Sequence, residues 1–233
     1  MVPNAVAPYT AQPVSSRPNL RPNWLELTWN FPDERDCLAS FLVLEAAEVL
    51  AGVKPANLVQ LRNRRQPCGR NLHQLWQDHG AALLADSPLE ALTLRRKDSG
   101  DLMLFYSPVL LSTHLQHPER AAFLRQQGYR LADLQSALSE LKRGFKTNTE
   151  MPHEIGLFLG YPLKDVAGFM GCSDKPCTAC RMWRIYGDPE PSLALSDRYA
   201  DCRRDMADQL CCVHDPVALL HKSTDTAAPA CCQ

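Results

Sequence analysis

Apolar residues along this chain follow helical spacing in several segments and form paired β-type runs in one. The clearest stripe is Leu131, Leu134, Leu138, Leu141 and Phe145, whose steps of three and four put all five on one helix face that must pack against a core. Asp33 is placed to cap a helix, and Glu34 to Leu50 contains neither Gly nor Pro, so one continuous helix is expected there before Gly52. A short helix is expected from Asn71 to His79, stopped by Gly80, and helices follow Pro108 and Pro118, with Gly128 as the stop. Asp197 to Leu210 reads as a polar helix. The runs LEALTLRRK and DLMLFYS, joined by Asp98-Ser99-Gly100, predict a β-hairpin over 89–106, because Gly tolerates the positive φ of a tight turn.

The two ends read differently. Six of the 18 prolines fall in the first 32 residues, where fixed φ and missing N–H donors work against packing, so 1–30 is expected to be a disordered tail. Residues 222–233, KSTDTAAPACCQ, read as a flexible tail. Between them, 31–221 is expected to form a single α+β domain of mostly short α-helices, with the one hairpin and a central helix-turn-helix-like pair. Charge changes the picture only by exclusion: 25 Lys and Arg against 26 Asp and Glu give −1, which rules out a nucleic-acid surface built on bulk positive charge and leaves room for a local basic patch. The longest apolar runs, Cys37–Leu44 and Gly156–Leu163, are too short to span a bilayer. The opening MVPNAVAPYT lacks the charged and apolar regions of a secretory signal, so the expected compartment is the cytoplasm, with no membrane contact.

The segment from Met151 to Met170 carries the most internal logic. Pro152 suits a first helical turn, Glu154 complements the positive end of a helix, Gly160 stops that helix and Pro162 opens a second. Its string PHEIGLFLGYPLKDVAGF, together with GVKPANL at 52–58, FLRQQGY at 123–129 and WRIYGD at 183–188, resembles the bacterial family catalogued as domain of unknown function 3793, over roughly 35–205. The resemblance implies a protein of mainly anaerobic bacteria without an established activity, in a setting of iron or redox homeostasis, with flavodoxin or iron-handling proteins as partners. Within the signature, His153 and Glu154 are the candidate acid/base pair of an enzyme or small-molecule binder, with Asp165, Trp183 and Tyr186 converging on them. Neighbours on a helix point about 100° apart, so a dipole carboxylate beside a structural histidine is the plainer account.

Sulfur supplies the other candidate chemistry. Eight of ten cysteines lie at or beyond Cys172, and a reducing compartment argues against a structural disulfide set. Cys172-x4-Cys177-x2-Cys180 with a distant Cys202 matches the ligand order of plant-type iron–sulfur clusters in spacing alone. Zinc competes for the same thiolates, with His214 as an alternative fourth ligand. A non-catalytic metal-binding protein using Cys172, Cys177, Cys180 and Cys202, with zinc or an iron–sulfur cluster, is therefore the leading expectation. A helix-turn-helix DNA-binding regulator is the alternative from the signature pair, weakened because LKDVAGFM offers Lys164 as its one base. Glu45 and Glu48 share an arc of the first helix with Cys37, and in so apolar a segment they are expected to mark its solvated side.

Overall fold

The computed structural model describes residues 22–147 and 150–221, so the expectations for 1–21 and 222–233 lie outside the described residues. Among the described residues, Trp24 is already packed into the core ahead of the expected boundary at 31. Asn23 accepts from the Leu25 N–H and caps α1 (Trp24–Leu27), which a 3-10 turn (Thr28–Asn30) extends. Trp24 is 5% exposed, its indole N–H donates to Ser40 Oγ at 3.1 Å, and its ring meets Phe41 edge-on. Proline density is a poor guide here because one buried aromatic outweighs the loss of a few N–H donors.

Asp33 caps α2 (Glu34–Glu45) through the Arg35 and Asp36 N–H groups, as its position predicts. The single helix expected to Leu50 is instead two: the backbone leaves helical geometry at Ala46 (φ −109°, ψ 16°) and resumes as α3 (Ala47–Leu50). The Glu45 carbonyl is released by this break and accepts from the Asn57 side-chain amide at 2.7 Å. A strand that the sequence reading lacked follows: β1 (Ala56–Arg62). Asn71 then caps α4 (Leu72–Leu84), which runs straight through Gly80. Gly80 is no stop; a Cβ there would sit 2.5 Å from the Trp76 ring, so the residue is small to admit the indole.

The predicted hairpin is present as β2 (Glu90–Lys97) and β3 (Gly100–Tyr106), with a bulge between Thr93 and Arg95. β3 lies in the centre of an antiparallel sheet ordered β1-β3-β2. Helices α5 (Pro108–Gln116) and α6 (Pro118–Gln126) each open on proline, and Gly128 turns the chain at φ 87°. Of the stripe read from Leu131 to Phe145, all but Leu131 lie on α7 (Leu134–Thr147), with Leu138, Leu141 and Phe145 buried; Leu131 precedes the helix and is half-buried. The signature forms α8 (Ile155–Phe158) and α9 (Leu163–Phe169), separated at Gly160 (φ 78°). A second, unexpected hairpin joins β4 (Cys177–Cys180) to β5 (Arg184–Tyr186). The long α10 (Glu190–Cys212) and short α11 (Pro216–Leu220) complete the fold.

Strand alternation divides the apolar side chains between two cores. Val59, Leu61, Met103 and Phe105 face one core with α2, α4, α10 and α11. Ala56, Leu94, Leu104 and Tyr106 face the other with α5 to α9. The fold is thus mixed α+β, a small antiparallel sheet between layers of mostly short helices. Among the described residues no helix is long and apolar enough to cross a membrane. A third cluster, Trp183, Ile185 and Tyr199, ties the β4–β5 hairpin to α10 and sits beside the seam where α3, β1 and the α8–α9 turn meet.

Candidate functional site

At that seam a cavity of about 340 Å³ is lined by charge, not by hydrocarbon alone. Glu45 from α2, Glu48 from α3, Lys54 from the loop before β1, Asn57 from β1, Tyr161 from the α8–α9 turn and Arg203 from α10 all border it, with Arg204 beside Arg203. Three of these are almost fully withdrawn from water: Glu48 is 1% exposed, Lys54 4% and Arg203 4%. A buried ion costs several kcal/mol unless paired and hydrogen-bonded, so each needs an account of what holds it.

Asn57 is the junction. Its Oδ1 accepts from Lys54 Nζ, while its Nδ2 donates to Glu48 Oε2 at 2.6 Å and to the Glu45 carbonyl. One neutral amide therefore links a buried ammonium to a buried carboxylate. The ammonium also lies over the rings of Tyr199 (5.1 Å) and Tyr161 (5.7 Å), whose electron-rich faces favour a cation. Arg203 donates through Nη1 to the Leu44 carbonyl at 2.9 Å and pairs through Nη2 with Glu45. Its Nε–H is buried and has no acceptor among the described residues. An orphaned charge-bearing donor beside a cavity is costly, and an anionic or carbonyl oxygen would relieve that cost. On α10, burial pushes the Cys202 thiol up from its ordinary range and the nearby Glu48 carboxylate adds to it, so this cysteine favours its thiol form.

The turn that carries Tyr161 is fixed from behind. A Cβ at Gly160 would fall 2.6 Å from Pro55 Cδ and 2.9 Å from the Tyr199 hydroxyl, which donates to the Gly160 carbonyl at 3.2 Å. The two sequence motifs GVKPANL and LGYP thus dock on one another and deliver Lys54, Asn57 and Tyr161 to one wall. Tyr161 in turn stacks on Trp183, with ring centroids 4.5 Å apart. Asp165 anchors Trp183. Its Oδ2 accepts from the Trp183 indole (2.8 Å) and Ser192 Oγ (2.6 Å), and its Oδ1 from the Tyr186 N–H (2.9 Å) and Lys164 Nζ (2.8 Å). Burial would raise the Asp165 pKa, but the Lys164 ammonium and the other three donors outweigh it and hold the group below its ordinary value. Asp165 is a structural clasp, and Lys164 spends its remaining reach on the Tyr186 carbonyl at 3.0 Å.

The expected site residues fall elsewhere. Glu154 accepts from the Tyr129 hydroxyl at 3.0 Å, and His153 is exposed with its ring edge-on to Phe169. Neither borders the cavity, and Asp165, Trp183 and Tyr186 converge on one another instead of on the His153–Glu154 pair. Cys172, Cys177 and Cys180 are exposed, and Cys202 is half-buried on α10 near Glu48. Cys177 and Cys180 end an extended strand in place of the tight turn from which a zinc knuckle donates both thiolates. Among the described residues no group of three or more Cys, His, Asp or Glu is arranged to hold a metal. In the helix pair, α8 is one turn long and wholly buried, and Lys164 of α9 is engaged as described. Glu48 corrects the reading of a solvated glutamate face, since it points into the seam; only Glu45 keeps partial contact with water.

No local sequence rule assembles Lys54, Asn57, Tyr161 and Arg203 into a site. The available signal was a lysine and an asparagine flanking a proline between two apolar runs, and a glutamate inside AAEVLAG, none of which a core requires. No curated protein and no solved structure matches the chain. A family model described as "Protein of unknown function (DUF3793)" matches residues 42–220, a span that contains every lining residue of the cavity except Pro22. The chain belongs to that family of unknown function.

Proposed function

We propose that this protein binds a small organic anion, one carrying a carboxylate or phosphate, in the cavity between α3, β1, the α8–α9 turn and α10. The observation that carries the reading is the buried Arg203 Nε–H without an acceptor, beside a buried lysine, in a cavity of small-ligand size. The anion would take up the Arg203 donor and meet Arg204, while the Tyr161 ring offers a flat apolar wall. Thermal unfolding with added inorganic phosphate, pyrophosphate, succinate and citrate tests it. At least one probe is expected to raise the melting temperature in proportion to the logarithm of its concentration, by the equivalent of about 2.7 kcal/mol at a hundredfold excess over Kd. Arg204→Ala should weaken that response without lowering the melting temperature of the free protein. No response to any probe, or one unchanged in both Arg204→Ala and Lys54→Met, overturns the reading.

A second reading is metal capture by the segment from Cys172 to Cys180, with a place in iron or redox homeostasis. Three exposed thiols within nine residues support it. Metal analysis of protein purified without oxygen decides it. Stoichiometric zinc or iron that is lost in Cys177→Ser/Cys180→Ser carries it, and metal-free protein ends it.

A further inference from the structure

At the turn end of the main sheet, the face that carries Ala56, Leu58 and Leu104 runs out beyond the cover of the helices. The two-residue period continues, so Gln60 and Arg62 of β1 and Leu102 of β3 keep to that face. Two adjoining grooves open there, of about 770 and 490 Å³, sharing Arg95 and Lys97 as their common ridge. Arg62 and Arg64 line one, and Lys142 and Lys146 of α7 line the other. Neither groove is lined by a single Asp or Glu. The acidic residues of the same hairpin, Glu90, Asp98 and Asp101, border a neighbouring groove beside α4, with His73 and Trp76, which meets these two at Arg96 and Lys97. Within the two grooves the charge is all of one sign, which makes this a strongly cationic face in a chain of net charge −1.

Arg95 is held in place by its guanidinium, which lies 5.5 Å from the centre of the Phe145 ring. Arg62, Arg64, Lys97, Lys142 and Lys146 have no carboxylate partner among the described residues. Protecting a sheet edge takes one or two charges on the strand itself. It does not require two lysines from a helix packed beside that strand. We infer that the paired grooves bind the phosphate backbone of a double-stranded nucleic acid without reading its sequence. Arginine-rich clefts suit phosphate oxygens, which accept the guanidinium fork in pairs. No aromatic side chain is exposed in either groove, Phe145 being buried, so there is no platform for unstacked bases, while a duplex keeps its bases stacked internally. The large exposed apolar residues, Trp29, Val109, Met151, Phe169 and Met182, all lie outside the grooves, so the apolar centre that a protein partner would need is missing.

Fluorescence anisotropy of the full chain with a labelled mixed-sequence duplex tests this. Binding is expected at low salt, independent of sequence, and falling steeply with added salt, the logarithmic slope being about −0.9 per phosphate contact. The triple variant Arg62→Gln/Lys97→Gln/Lys142→Gln, checked for unchanged thermal unfolding, should bind about tenfold or more weakly with a slope reduced by up to about 3. A control variant at the small hairpin and the residues before it, Lys175→Gln/Arg181→Gln/Arg184→Gln, which removes the same number of charges, should bind as the parent does. The inference fails if the duplex does not bind at low salt or if the triple variant binds like the parent. It fails equally if polyglutamate displaces the duplex as well as unlabelled duplex does at equal charge, which would assign the face to an acidic protein.

Discussion

Asp165 shows how much can hang on one side chain. It receives four hydrogen bonds from the loop, the hairpin and two helices, and removing its charge leaves donors facing a partner that cannot accept from all of them. Asp165→Asn is expected to cost about 3 kcal/mol in urea unfolding, the range for breaking a buried, charge-assisted cluster. Because its folded pKa is depressed, the stability it contributes is present above the ordinary aspartate value near 4 and is lost as pH falls through the folded value. His114 acts in a different window. Burial first, and the Arg120 charge second, lower its pKa to about 4, so the unfolded chain takes up a proton near pH 6.5 that the folded chain refuses. Stability should therefore be complete above about pH 6.5 and decline toward pH 4, and His114→Gln should flatten that slope in denaturant titrations across the same range.

Elements were legible where a local rule and the tertiary structure agree. Asp33 caps as its side chain dictates, Leu138, Leu141 and Phe145 of the α7 stripe are buried, and Gly160 and Gly128 take the positive φ their positions called for. Reading failed where a distant partner decided. Gly80 looked like a helix stop, but its role belongs to Trp76, which packs edge-on against Phe105 from the sheet. Gly→Ala inside a helix ordinarily stabilises by up to about 1 kcal/mol. Here a Cβ would press on a ring already held on its other side, so Gly80→Ala is expected to lower stability by about 1–3 kcal/mol, with the sign read from the shift in melting temperature. The break at Ala46 and the inward turn of Glu48 were hidden for the same reason: the Asn57 amide that rewards them lies several residues further on, in a strand whose pattern, ANLVQLR, alternates only weakly. The candidate cavity was invisible as a unit because its walls come from six separate stretches, although two of them were already notable as motifs.

At the scale of the molecule, two cores share one thin sheet, and the first extends to the chain's early residues. Trp24 is buried in that core with its ring edge-on to Phe41, so Trp24→Ala should cost about 3–5 kcal/mol by urea denaturation, and a chain beginning at residue 31 should be destabilised at least as much. Polar and charged chemistry is sorted to different regions of this body: the anion-sized cavity at the α10 seam, the cationic grooves at the turn end of the sheet, and the exposed thiols of the small hairpin. The stack of Tyr161 on Trp183 connects the first of these to an optical property. An indole pinned by a carboxylate and pressed against the cavity wall is a built-in fluorophore, whose emission colour and intensity would register any change in the field on the far side of that phenol ring, with no label attached.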